Sequence, residues 1–376
     1  MNISVIPVRT QRDMEKFIRL PWQIYKGNKN WVPPLIRDMR NSLDPGKDPL
    51  CKKGERELFL AFAGNKPAGR IYAGIDAVLN QKKSAHMGHF SLFECIDDQA
   101  VADALFDNAL GWLRDRNIDW VRGPVAPSGA DSDESKGLLI NSFDLPPAIM
   151  NSYNPPYYQK LIENYGFTKD YDVFAYSLDA QRIFTSDPSK TIEYARKRYN
   201  FRVDTLNTED IEGEIKALKY ILDLAVPDEW PDMVAPSLEE VREMAHQLLP
   251  VADPDIVIIA RSGDEPIGFG IALPDYNQVL IHLNGRMTPL AALKYLWYKR
   301  KINRVRFFVM FVIPAFRKKG VSYAIYYQTF LNGVKKGYLY GEGSTIGETN
   351  YQMRKDIESF GGQNYKTYRI FKKELS

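Results

Sequence analysis

Val309-Met310-Phe311-Val312-Ile313-Pro314-Ala315-Phe316-Arg317-Lys318-Lys319-Gly320-Val321-Ser322-Tyr323-Ala324 reads as a strand, a basic loop and the start of a helix. At such a junction the first backbone N–H groups of the helix have no partner within it, and they point outward, where they can cradle a pyrophosphate. The helix dipole adds attraction for the anion. Gly320 lacks a side chain, so phosphate oxygens can approach its backbone closely. Ser322 is small and carries a hydroxyl donor, and Arg317, Lys318 and Lys319 supply positive charge. The plain alternative is an ordinary basic loop.

The pattern on either side places this junction late in a mixed half of strands and helices. Upstream, Arg202–Leu206 reads as a strand and Asp210–Ala225 as a helix, and Ser237–Leu249 is a helix opened by a Ser cap with Glu240 three residues on. Ile256–Ala260 and Pro266–Ala272 pair across the turn Ser262-Gly263-Asp264, and Arg304–Ile313 is the next strand. Downstream come a helix at Gly320–Lys336, a strand at Tyr338–Gly341, a helix at Thr349–Phe360 and a strand at Thr367–Lys373.

The first half repeats the order. It offers a strand at Ile3–Val8, a helix at Arg12–Tyr25, and a hairpin of Glu57–Ala63 and Ala68–Val78 about Gly64-Asn65. A strand at His89–Cys95 precedes a helix that Asp98 opens and that runs through Val101, Leu105, Ala109 and Leu113. Trp120–Val125, Pro155–Tyr165 and Tyr171–Leu178 follow as strand, helix and strand. Repetition of element order over similar lengths points to a tandem duplication. The expected fold is α+β: two domains, 1–180 and 190–376, each a mixed and mostly antiparallel sheet flanked by helices, meeting in the polar segment Asp179–Lys190.

Composition excludes several classes. At 376 residues with 44% hydrophobic and 26% charged side chains, the chain is long enough for two or three domains and too apolar for disorder. Lys and Arg number 50 against 47 Asp and Glu, a net charge of +3, so a dedicated nucleic-acid binder is not expected. Cys51 and Cys95 fit neither a disulfide framework nor a metal-ligand spacing, and both are expected to be structural. His86 and His89 lie three apart without companions, so no metal is expected. Met1 to Val8 lacks the features of a signal peptide, and no run reaches the ~18 apolar residues of a membrane span. The expected location is the cytoplasm.

On the motif Arg317-x-x-Gly320-x-Ser322, set between strand and helix, the chain resembles the GNAT superfamily of acyl-CoA-dependent acyltransferases, whose loop ends in Gly or Ala where this one has Ser322. The resemblance implies that Arg317, Lys318, Lys319, Gly320, Val321 and Ser322 hold the CoA pyrophosphate and that the backbone at Phe311 and Val312 holds the pantetheine and polarises the thioester carbonyl. It also implies that Asn350 touches the CoA arm. The usual Tyr proton donor is replaced by Ile357, which leaves the donor open. Glu342 and Glu348 are the candidate bases; the plain reading is that Glu348 caps a helix and Glu342 is solvated.

Across nearly the whole chain, Asn30-Trp31-Val32-Pro33-Pro34-Leu35, Gly69-Arg70-Ile71, Gly123-Pro124, Asn154-Pro155-Pro156-Tyr157-Tyr158 and Gly361-Gly362 through Tyr368-Arg369-Ile370 resemble a bacterial family of two-domain GNAT-like acetyltransferases. In the first half Ile96-Asp97-Asp98 stands in place of a phosphate loop, so that half is expected to have lost CoA. Tyr153, Asn154 and Tyr158 frame its candidate acceptor site, with core packing as the equal alternative.

The resemblance implies an N-acyltransferase that moves an acetyl or longer acyl group directly from acyl-CoA, without metal, to a small-molecule or lipid amine. Two alternatives are a degenerate pair that binds without catalysis, and a transferase of lipid-amine or aminoacyl substrates. Leu293-Lys294-Tyr295-Leu296-Trp297-Tyr298-Lys299-Arg300-Lys301 mixes aromatic residues with cations. It is expected either to touch a membrane surface or to be a solvated helix.

Overall fold

The computed structural model describes residues 2–44, 46–47, 54–125, 136–183, 187–227 and 234–375. Cys51 lies outside them. The chain forms two compact units, and they interleave along the sequence. The first comprises Met1–Val173, Asn277–Lys299 and Lys366–Ser376, and the second comprises Phe174–Tyr276 and Arg300–Tyr365. The sequence placed a single boundary at Asp179–Lys190; the chain instead leaves the first unit after Val173 and returns to it twice.

In the first unit, β1 (Ile3–Pro7) pairs antiparallel with β2 (Gly54–Ala63), and β2 with β3 (Lys66–Asp76) about the expected turn, where Gly64 takes φ +61°. β3 pairs antiparallel with β4 (Met87–Cys95), and β4 parallel with β5 (Trp120–Gly123). β6 is Leu138–Leu139, and β7 (Thr168–Asp179) begins in this unit and ends in the second. The helix Gln99–Arg114 starts where expected, with the Asp98 carboxylate accepting from Ala100 N–H. It buries Val101, Leu105, Ala109 and Leu113 in the core with Phe90 and Phe106.

The second unit repeats the plan. β8 (Arg202–Thr205) pairs antiparallel with β9 (Val257–Ser262), β9 with β10 (Glu265–Pro274), and β10 with β11 (Arg304–Val312). β11 pairs parallel with β12 (Tyr340–Gly347). β13 (Gln363–Glu374) closes the chain, and its last residues run antiparallel to β5 in the first unit. Each unit is thus a mixed, mostly antiparallel sheet with flanking helices. The helix Val321–Lys335 buries Ala324, Ile325 and Tyr326 against this second sheet.

Candidate active site

The register of β11 and β12 creates the site. They pair at four positions, from Arg304↔Tyr340 to Phe307↔Gly343. β11 then runs on to Val312 and β12 to Gly347, beyond the last rung of this pair. Beyond Phe307 and Gly343 the two strands are no longer paired with each other. Phe311 is buried there and Val312 is half-buried.

Past Val312 comes a short 3₁₀ turn, Pro314–Phe316, and then the basic loop. Arg317 ties this loop down: its Nε donates to the Val312 carbonyl at 3.2 Å and its Nη2 to the Ala225 carbonyl at 2.8 Å. Lys318 is exposed at φ +61°, and the Lys319 ammonium stands over the rings of Phe316 and Tyr199. Gly320 takes φ +82° at the start of the helix, where no side chain caps the N-terminus. Val321 is buried and Ser322 is half-buried. The loop therefore presents an uncapped, cation-flanked helix start just past the point where β11 parts from β12.

Glu342 sits one rung inside the point where the strands part, with its side chain on the face away from the helix Tyr351–Ser359. It is only 1% exposed. Its carboxylate accepts from Ser344 Oγ at 2.6 Å and from the hydroxyl of Tyr365, which is half-buried. Arg306, its partner across the rung, is fully buried and donates from Nε to Ser344 Oγ at 3.0 Å. The solvated reading of Glu342 is thereby excluded. Glu348 is half-buried beyond the end of β12, and its carbonyl accepts from Arg354 Nη1 at 3.1 Å.

Asn350 caps the helix Tyr351–Ser359, its Oδ1 accepting from Met353 N–H at 3.2 Å. Ile357 packs where a side chain on Gly343 would stand, 2.2 Å from the ideal Cβ position. Sequence reasoning missed Arg306, Ser344 and Tyr365. An arginine in the otherwise apolar run Val305–Ile313 was the available signal for the first; nothing in the sequence marks the other two.

The first unit treats the same place differently. β4 and β5 pair only from Met87↔Trp120 to His89↔Arg122, after which β4 continues to Cys95. Here the strand is met from within: Cys95 N–H donates to Tyr158 Oη at 2.8 Å, and Tyr157 Oη donates to the Cys95 carbonyl at 2.8 Å. Tyr158 also donates to Glu94 Oε2 at 2.7 Å. Burial and the Glu94 carboxylate hold the hydroxyls of Tyr25 and Tyr158 well above the usual phenol range, so both remain donors. Burial and the nearby carboxylates push the Cys95 thiol up as well, which fits its structural reading.

Tyr153, Asn154 and Tyr158 do converge on one cavity of about 110 Å³, with Trp31, Leu92 and Glu94. Only Tyr153 is partly exposed, and its hydroxyl donates to the Phe143 carbonyl at 2.7 Å. Asn154 is buried and bonds both the N–H and the carbonyl of Leu139. Arg70 stands 3.7 Å from Glu94 on the same wall. Among the described residues no group of three His, Cys, Asp or Glu is placed to hold a metal ion.

No protein-family model matches the chain. It is 31% identical to the bacterial ceramide synthase of Caulobacter vibrioides, over 100% of this chain and 98% of that one. The chain belongs to that protein's two-domain GNAT-like family. Protein YghO of Escherichia coli is 28% identical over 97% of this chain and 94% of its own. Among solved structures, a tandem GNAT protein from the clavulanic acid biosynthesis pathway matches with TM-score 0.59 at 11% identity, over 100% of this chain and 99% of that one.

Within this GNAT-like pair the third parallel rung differs between units. The second unit sets Arg306 beside Glu342, and the first sets His89 beside Arg122. Arg122 is held by Asp170 at 2.6 Å. So of the two third rungs only that of the second unit itself carries a carboxylate.

Proposed function

We propose that the chain N-acylates a long-chain amine with an acyl-CoA, giving a ceramide-type amide. The observation that carries this is the parting of β11 from β12 just before an uncapped, basic helix start. That geometry fits a pantetheine lying along β11 at Phe311 and Val312, past the last β11–β12 pair, with its pyrophosphate on the N–H groups of Gly320, Val321 and Ser322. The ceramide synthase relative supports a lipid amine over an aminoacyl or small polar acceptor. Asn350 keeps its role as a helix cap beside the arm, and Glu348 is the second-choice carboxylate.

In this reading the neutral amine attacks the thioester carbonyl, the C–S bond breaks and CoA leaves as its thiolate. Before attack the ammonium proton passes to Tyr365 Oη while the Tyr365 hydroxyl proton moves to Glu342, so the buried carboxylate takes it without meeting solvent, and the proton released on amide formation goes to the departing thiolate. Ser344 and Arg306 fix the carboxylate for this transfer. The Tyr153–Asn154–Tyr158 cavity, with Glu94 and Arg70 on its wall, suits an amphiphile with a polar head, and it is assigned to acceptor recognition.

The test is incubation of the purified protein with palmitoyl-CoA and sphinganine, with the product read by mass spectrometry. The expected result is an N-acyl product and stoichiometric free CoA. Tight acyl-CoA binding with no transfer to sphinganine, lysine or a simple long-chain amine would leave the non-catalytic reading standing instead.

A further inference from the structure

The segment Asn277–Lys299 returns to the first unit and ends in a helix, Pro289–Lys299, that the unit hardly covers. Thr288 opens it, its Oγ1 accepting from Ala291 N–H at 3.2 Å. Only Ala291 is buried, with Tyr295 and Tyr298 half-buried; these recur at four- and three-residue spacing and form the inner side. Tyr298 stacks on His282 at 3.7 Å between ring centroids, which fixes that side to the body of the unit.

The outer side is apolar. Leu290 is 65% exposed, Leu293 66%, Leu296 59% and Trp297 53%. At about 100° per residue these four fall on one stripe. By the same geometry Lys294 borders the stripe on one side and Lys299 on the other. Exposed Met287 and the cations Arg286, Arg300 and Lys301 adjoin the two ends of the helix in the chain. A contiguous apolar patch of this kind on a globular unit marks an interaction surface rather than chance exposure.

Charge selects the partner. From Asn277 to Lys301 there is no Asp or Glu, against five cations: Arg286, Lys294, Lys299, Arg300 and Lys301. Over the whole chain the two signs nearly balance, so this stretch concentrates positive charge around the exposed helix. A protein partner would need an apolar groove with an acidic rim, whereas an anionic bilayer meets every feature at once. Its acyl boundary takes the Leu and Trp side chains, and its headgroups take the flanking ammonium and guanidinium groups. Among the described residues no helix is long and apolar enough to cross a membrane, so the helix lies in the interface.

We propose that the helix Pro289–Lys299 docks the protein on an anionic lipid surface. The inference rests on this surface alone and not on the reading of the active site. A short helix, Asn277–Leu280, precedes it in the same segment, and its Leu280 and Asn277 line the Tyr153–Asn154–Tyr158 cavity. Docking through Pro289–Lys299 therefore holds one wall of that cavity near the lipid surface.

The experiment is co-sedimentation of the full chain with sucrose-loaded vesicles of phosphatidylcholine, alone or with 30 mol% phosphatidylglycerol. The wild type is expected to bind the anionic vesicles and to bind neutral ones at least about tenfold more weakly, with binding reduced in molar salt. A Leu293→Glu/Trp297→Glu double variant should lose about tenfold or more, and Lys294→Glu/Lys299→Glu should lose binding to anionic vesicles specifically. Both pairs are exposed, so thermal unfolding is expected to match wild type and reports that the fold is kept. No sedimentation with anionic vesicles, or equal sedimentation of the Leu293→Glu/Trp297→Glu variant, overturns the proposal. A concentration-dependent dimer that this variant abolishes, with no vesicle binding, assigns the face to a second copy of the chain and overturns it too. The assay needs no turnover, so its failure and a failure of N-acylation are separate results.

Discussion

At the third rung of the parallel pair, the second unit holds a carboxylate and a guanidinium side by side where the first holds an imidazole and a guanidinium. Glu342 is shut from solvent and reached through Tyr365. Glu342→Gln is expected to lower kcat by roughly 10²–10⁴ at neutral pH while acyl-CoA affinity stays within about twofold. The deficit should shrink at high pH, where the free amine needs no deprotonation. Tyr365→Phe should show the same pattern if the proton passes through its hydroxyl; a pH–rate profile identical to wild type would remove the relay. On the other side of the pair, burial and then the Arg122 cation push the His89 imidazole down to about 3. An unfolded histidine titrates near 6.5. Between these values the unfolded chain binds a proton that the folded chain refuses, so stability falls as pH drops from about 6.5 towards 3. By pH 5 this one group accounts for about 2 kcal/mol. His282 is shifted the same way, by partial burial and Lys294. Urea midpoints from pH 7 to pH 5 check this: His89→Asn should flatten the slope, and an unchanged slope would contradict it.

At the scale of elements, the strand–loop–helix at Val309–Ala324 was legible because each part has its own signal: an apolar run, a cluster of cations and a glycine that lets phosphate approach the backbone. In the structure Gly320 takes φ +82°, and an added Cβ would stand 3.1 Å from that of Ala195. Gly320→Asp is therefore expected to abolish acyl-CoA binding in calorimetry, while Gly320→Ala, which shares the backbone strain of about 1 kcal/mol, should weaken it far less. Equal losses in both would mean that strain, not charge at the phosphate, is responsible. The Asp98 cap and the turn at Gly64-Asn65 were legible for the same local reasons. β12 was read too short, ending at Gly341, because Gly341-Glu342-Gly343-Ser344 has the composition of a loop. Its strand runs on to Gly347, where Ile357 fills the space that Gly343 leaves and β7 is its neighbour in the sheet. Partners distant in sequence supply what local propensity does not. Tyr158 shows the same limit. Its ring is core and its hydroxyl holds Cys95 and Glu94, contacts more than sixty residues away that no spacing rule reveals.

For the whole molecule, the repeated order of elements was visible in the sequence, but the exchange of chain segments between units was not, because both halves end in strands with similar patterns. Leu138, Val121 and Phe90 form the first unit's core together with Phe371 and Leu375, which the chain supplies only after passing through the second unit. Phe371 also faces Gly123 across β13 and β5, on a four-residue ladder that reaches Glu374↔Trp120. In the second unit Tyr176 and Leu178, from the end of β7, belong to the core with Ile259 and Phe307. A fragment of residues 1–180 thus lacks β13 from its own core and leaves the outer edge of β5 unpaired, and a fragment of residues 190–376 lacks Tyr176 and Leu178. Neither fragment is expected to show a cooperative urea transition, since each loses two or more buried core side chains, the large ones worth about 3–5 kcal/mol apiece, in a domain whose net stability is about 5–15 kcal/mol. The point variant Phe371→Ala should destabilise the intact chain by about 3–5 kcal/mol. Its effect should be local: amides of β4, β5 and the helix Gln99–Arg114 lose hydrogen-exchange protection, while those of β9 and β10 keep theirs. Equal loss of protection in β9 and β10 would show that the two cores unfold as one. A fragment of residues 1–180 that unfolds cooperatively would show that β13 is dispensable to the first core.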